Sequence, residues 1–191
     1  TQLVPYTDVI VQGGTTTICT LAFANTPVQK VQLPSTLTTI RYGAFQNCTA
    51  LKQITLPESM TFIEGGAFQN CSALSSILVP QNVTYLGASA FSGCTSLTSA
   101  TLPQAITRIS SGLFENCSSL DMVVSGNGLE TIGSDAFAGC DSLTGVEVPD
   151  SVTEIGDSAF GDNANLTLWC SENGTAWQYA ETNGIMAEER I

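Results

Sequence analysis

At 191 residues, with 43% hydrophobic and 12% charged side chains, the chain is too apolar for disorder and too poor in charge for a coiled coil. A net charge of −12, from 5 basic against 17 acidic residues, repels phosphate and so argues against nucleic acid and anionic membranes as partners. No apolar run reaches the roughly 18 to 20 residues of a membrane helix, and no basic-then-apolar leader follows Thr1, so the chain reads as a mature region or a fragment of something longer.

In chain order, residues 1–17 read as an N-terminal lid ending at the turn-prone Gly13-Gly14. A degenerate repeat follows, in which Ile18 to Phe23 matches Ile40 to Phe45 and the next turn is one residue shorter. Six complete periods of 23 residues then begin at Val28, Leu51, Leu74, Leu97, Leu120 and Leu143. A period in the twenties predicts a solenoid, because one coil cannot bury its apolar side alone and must stack on its neighbours.

Leu51 to Ala73 serves as the type coil. Ile54 and Leu56 alternate with Gln53 and Thr55, which predicts a short strand with one buried face. Pro57 ends it, having no N–H for a ladder. Met60 and Ile63 mark a second extended stretch, Gly65-Gly66 a turn, Ala67-Phe68 a return to the core and Asn70-Cys71 the closing corner. Pro34, Pro80, Pro103 and Pro149 repeat the stop, with Gly126 substituting once. Beyond Leu166-Thr167-Leu168 the repeat is lost. Residues 174–184 then read as a helix with Thr175 as a possible N-cap, an apolar face of Ala176, Trp177, Tyr179 and Ala180, and a stop at Asn183-Gly184. The expected organisation is 1–27 as N-terminal cap and degenerate repeat, 28–165 as six repeats, and 166–191 as C-terminal cap.

Cys48, Cys71, Cys94, Cys117 and Cys140 hold one position in five consecutive coils, and seven of the eight phenylalanines hold another, from Phe23 to Phe160. Stacked cysteines point the same way, which does not suit disulfide geometry, so buried reduced thiols acting as small apolar groups are expected. Zinc is disfavoured, since the chain has no histidine and no Cys-x-x-Cys pair. Asp157, Asp162 and Asn163 lack the ordered spacing of a calcium loop. Six Asn-x-Ser/Thr sequons occur, at Asn47, Asn70, Asn82, Asn116, Asn165 and Asn173; three are the Asn-Cys corner of the repeat, where asparagine favours a turn. No catalytic set, cofactor motif or metal site is read: there is no Gly-x-Ser-x-Gly elbow and no phosphate loop.

Written as LxxIxLPxxVTxIGxxAFxxCxx, the repeat resembles the BspA-like leucine-rich repeats, most closely in LTGVEVPDSVTEIGDSAF at 143–160. The closing Leu166-Thr-Leu-Trp-Cys170 and GTAWQYAETNGI resemble that family's usual terminal segment. The resemblance covers about residues 18–185. It implies a leucine-rich repeat solenoid of the α/β repeat class, mostly short strands and turns, closed by a C-terminal helix. It also implies a bacterial surface or secreted protein that adheres to host or neighbouring-cell proteins, matrix or glycans. It brings no shared catalytic residues.

Repeated residues are the buried ones, so a site is sought where the repeat varies. One candidate face is the outward rows of the first strand, with Gln53, Thr55, Ser76, Leu78, Thr101 and Met122. These rows, followed as far as Gly145 and Glu147, lack aromatics, and a solvated Ser/Thr sheet without ligand is the competing reading. The other candidate is Phe62, Tyr85 and Arg108, outward on neighbouring coils and expected to stack with a cation–π contact. That row is either cross-strand stabilisation or a binding patch. Three functions stay open: an extracellular binding and adhesion module, a structural spacer within a larger surface protein, and an enzyme with carboxylate chemistry.

Overall fold

Parallel short strands, repeating every 22 or 23 residues, stack the chain into a β-solenoid of about eight coils with one helix near the C-terminus. The structure, a computed structural model, describes residues 7–190. Residues 1–6 of the expected N-terminal cap, and Ile191, lie outside the described residues. In chain order the strands are β1 (Asp8–Ile10), β2 (Thr17–Ile18), β3 (Lys30–Gln32), β4 (Thr39–Ile40), β5 (Gln53–Ile54), β6 (Phe62–Ile63), β7 (Ser76–Leu78) and β8 (Tyr85–Leu86). There follow β9 (Ser99–Thr101), β10 (Arg108–Ile109), β11 (Met122–Val124), β12 (Thr131–Ile132), β13 (Gly145–Glu147), β14 (Glu154–Ile155) and β15 (Thr167–Cys170). Helix α1 (Thr175–Asn183) and β16 (Met186–Glu189) complete the set.

Odd-numbered strands form a first ladder, which β16 extends, and the other even-numbered strands form a second. The first runs as β1-β3-β5, β7-β9-β11 and β13-β15-β16; the second runs as β2-β4-β6-β8 and β10-β12-β14. Register advances one coil per rung, as in Ile40↔Ile63↔Leu86, so each inward residue meets its counterpart. Each strand-ending proline carbonyl accepts the amide three residues on, as from Met60 to Pro57, and Gly126 does the same for Leu129. From Asp8 the chain is already solenoidal: β1 pairs with β3 where the sequence suggested only a lid. Its Val9-Ile10-Val11 run is apolar without alternating, and its pairing is set by the neighbour.

A third side carries the phenylalanines. It is not strand, yet each Phe amide donates to the residue before the next Phe, alanine except at Leu113: Phe45 to Ala67, Phe68 to Ala90, Phe91 to Leu113 and Phe114 to Ala136, at 2.8 to 3.0 Å. The rings from Phe23 to Phe160 stack face to face with centroids 5.1 to 5.7 Å apart. Those from Phe45 onward are fully buried or nearly so. Truncating one of them to alanine would cost about 3–5 kcal/mol.

The five stacked cysteines are buried as expected, but they are not merely apolar. Each thiol donates to the Phe carbonyl of the preceding coil: Cys48 to Phe23, Cys71 to Phe45, Cys94 to Phe68, Cys117 to Phe91 and Cys140 to Phe114, at 3.0 to 3.2 Å. Where the row ends, Asn163 makes the same bond to Phe137 at 2.8 Å through its amide. Beside them a corner residue sits in left-handed backbone: Asn47, Asn70 and Asn116 each have φ of 59°. Asn70 donates to Asn47, and Asn47 to Asn25, at 2.9 Å, so these sequon nitrogens are already committed to a ladder. Glycine is required elsewhere for room: a Cβ on Gly87 would lie 2.2 Å from the Gly65 nitrogen of the preceding coil.

Helix α1 lies across the last coil. Ala176 and Ala180 are buried, and Tyr179 meets Phe160 edge-on at 5.9 Å, ending the ring stack. The N-cap is Gly174 with no side-chain cap bond, so Thr175 is the first helical residue and not the cap. Gly184, with φ of 69°, stops the helix as expected. β16 then adds a strand the sequence did not suggest. Its Met-Ala-Glu-Glu is acidic and exposed, the character of a protected sheet edge.

Burial holds the thiols of Cys71, Cys94 and Cys117 well above their ordinary range and pushes Cys140 up to about 12. Unfolded thiols ionise near pH 9, so the folded chain keeps protons that the unfolded chain releases. This contribution to stability is intact below pH 9 and is lost as pH rises toward the folded values. The expected slope is about 1.4 kcal/mol per pH unit per thiol, about 5 for the four. Denaturant midpoints between pH 8 and 11 measure it, and Cys94→Ala should remove about a quarter of the slope. An unchanged slope in that variant would contradict the burial of the thiol.

Candidate functional site

Two faces point outward, and the structure treats their expected residues differently. On the second ladder, Phe62 and Tyr85 are neighbouring rungs, each about half exposed, with ring centroids 5.9 Å apart and tilted by 35°. Arg108 is exposed but does not join them. Among the described residues the aromatic contact stops at Tyr85, and the ladder is interrupted between β8 and β10. At every other step the carbonyl of the inward Ile receives a backbone amide, as Ile63 does from Gly87 and Ile109 from Gly133. At this step the Leu86 carbonyl takes the Ser110 hydroxyl instead. The expected cation–π contact assumed an unbroken ladder.

On the first ladder the residues do converge. β5 and β7 are not ladder partners, and one long amide bond from Ser75 to Lys52 (3.4 Å) links the coils there. The gap opens a depression of about 320 Å³ lined by Gln53, Thr55, Ser76, Leu78, Glu58 and Pro80. Four of the residues singled out from sequence share it, and Glu58 adds a carboxylate. Its volume is at the small end of ordinary ligand pockets, enough for one or two side chains.

Beyond the depression the sheet turns apolar. Leu78↔Thr101↔Val124 and Ser76↔Ser99↔Met122 are successive rungs of β7, β9 and β11. Leu78 is 68% exposed, Met122 53% and Val124 45%, with Thr101 half-buried between them. Val124 lies directly across Thr101 from Leu78.

Trp169 escaped the sequence reading. Counting 23 residues from Val146 places it inward, but β13 and β15 pair as Val146↔Leu168 and Glu147↔Trp169, a step of 22. One residue fewer flips the strand, burying Leu168 and turning the indole outward. The alternation of Leu166, Leu168 and Cys170 against Thr167 and Trp169 was the available signal. The outward row therefore does contain an aromatic.

A family model described as BspA type leucine rich repeat region matches residues 16–135 and 44–167. No curated protein matches significantly. Among solved structures, a leucine rich repeat protein of T. pallidum is 26% identical with a TM-score of 0.79, covering 97% of this chain and 87% of that one. A leucine-rich repeat protein from Eubacterium ventriosum is also 26% identical, with a TM-score of 0.70. That match covers 88% of this chain, which spans only 45% of the longer protein. A leucine rich cell surface protein from Faecalibacterium prausnitzii, 23% identical with a TM-score of 0.59, shares the fold. It is covered over 59% of its length and covers 95% of this chain. Among the described residues no helix is long and apolar enough to cross a membrane.

The tilted Phe62–Tyr85 pair should behave as an ordinary cross-strand contact. A double-mutant cycle with Phe62→Ser and Tyr85→Ser is expected to give a coupling of about 0.5–1 kcal/mol in denaturant unfolding. Additive single effects would show that the two rings stand independently.

Proposed function

The chain belongs to the BspA-type leucine-rich repeat family, and from that premise we propose that it is a non-catalytic protein-binding module that engages its partner on the first-ladder face. The observation that carries this reading is the exposed apolar group of Leu78, Met122 and Val124 beside the Gln53–Leu78 depression. The neighbouring rungs are polar or bare, Gln32, Gln53 and Thr55 on one side and Gly145 and Glu147 on the other, and the face's other exposed apolar residues, Ile10, Trp169 and Met186, lie at its two ends. An apolar centre rimmed by hydroxyls and amides is the composition of a transient protein interface. The partner is a protein, or a glycoprotein, of a host or neighbouring cell. Its apolar side chain fills the depression while backbone groups meet Ser76, Ser99 and Thr101.

Placement outside the cell is part of the same proposal. It is supported by family membership and by the surface assignment of the Faecalibacterium protein, whose likeness to this chain extends to fold alone. Phe62 and Tyr85 belong, on this reading, to the stability of the second ladder.

Leu78→Ser and Val124→Ser remove exposed side chains and should change stability by less than about 0.5 kcal/mol. Screening the chain against immobilised matrix and cell-surface proteins should yield a ligand whose affinity falls at least about tenfold in the double variant. A ligand indifferent to both changes would move the site off this face. Binding that appears only with flanking segments attached would favour the spacer role.

A further inference from the structure

At the C-terminal end of the same face, Glu147, Trp169 and Glu188 are consecutive rungs of β13, β15 and β16. The indole therefore stands between two carboxylate-bearing neighbours on one outward row. It leans back over Gly145, where a Cβ would lie 3.0 Å from the indole Nε1. Glycine clears that rung, so the ring can lie along the sheet with 39% of the residue still exposed. Gly145, Glu147, Trp169 and Arg190 line a depression of about 390 Å³.

A cation already sits in it. Arg190 follows β16, and its side chain crosses the Trp169 rung to bring Nη1 to 3.3 Å from Glu147 Oε1. Glu188 has no ion-pair partner among the described residues. Tryptophan is the best aromatic platform for a cation, and a carboxylate on either side adds direct attraction. The net charge of −12 favours approach of a positive group. The Arg190–Glu147 pair is itself exposed, and such pairs are weak enough to be exchanged for another cation.

We propose that this corner is a recognition site for a cationic side chain, a guanidinium or alkylammonium carried by a basic segment of the partner protein, and that Arg190 occupies it in cis as a competitor. The inference deepens the protein-binding reading and rests on it for the nature of the partner. Its test uses no natural partner, so the two fail separately.

The full chain carrying Trp177→Phe leaves Trp169 as the single fluorescent indole. Titration with tetra-arginine and tetra-lysine peptides should give a saturable change in Trp169 emission that weakens sharply at about 0.5 M salt. Arg190→Ala should tighten binding about two- to fivefold, the worth of one exposed ion pair, and Glu147→Gln or Glu188→Gln should each weaken it by a similar factor. Tightening in Arg190→Ala together with weakening in both glutamine variants supports the site. Weaker or unchanged binding in Arg190→Ala, or indifference to either glutamine variant, overturns it. An equal, salt-independent response to lactose also overturns it, marking a sugar platform instead. If the peptides fail here while a partner remains sensitive to Leu78→Ser, only the cation site is lost.

Discussion

The phenylalanine side of each coil carries the one backbone ladder that continues from coil to coil without interruption among the described residues. Phe amides donate to the residue before the next Phe from Phe23 through Phe137, at 2.7 to 3.0 Å, while both strand ladders break. The rings stack inside that ladder, and the Phe carbonyls turn toward the cysteines. Each such carbonyl takes the amide of its own coil's cysteine, as Phe68 takes Cys71, and the thiol of the next coil's, as Phe68 takes Cys94. A carbonyl oxygen has two lone pairs, so with the amide on one, each buried Phe carbonyl still has a place for a second donor. Cysteine fills that place with a small side chain that is mostly apolar but still donates. Asn163 takes over where the row ends, and what it shares with cysteine is a donor of suitable reach, whereas Thr26 at the other end bonds the carbonyl of its own coil's Phe23, which the Cys48 thiol also reaches.

Much of the fold was legible because stacking forces equivalent positions into equivalent environments. Phe, Cys and Ile each occupy one rung, and a 23-residue period exposes them. The third-side ladder was not legible, since its hydrogen bonds belong to the backbone and leave only a preference for Ala before Phe. Nor were β1 and β16, whose strand character comes from a neighbour's edge more than from their own alternation. Asn163 illustrates the limit of reading a repeat: the cysteine row stops at Cys140, yet the bond persists at Asn163 with different atoms.

The outward residues were legible only in part. Their direction followed from alternation, so Gln53, Thr55, Ser76, Leu78 and Met122 all face out. Which of them share a site depended on where ladders part, and no residue type announces that. Gln53 and Leu78 line one depression because β5 and β7 separate, whereas Tyr85 and Arg108 are kept apart by a similar break between β8 and β10. Trp169 was hidden by a single missing residue, which reverses inward and outward along a strand.

These interruptions follow from the spine. A ladder held rigidly along one edge tolerates loss of pairing along the others, because ring stacking and the third-side bonds keep the coils in register. The strand faces are thereby released from the strict repeat. Coils can splay where β5 leaves β7 and where β11 leaves β13, and it is beside these gaps that the exposed Leu78, Met122 and Val124 lie. Here the core supplies the uniformity that folding needs, and the broken ladders supply the irregular relief on which the proposed binding reading rests.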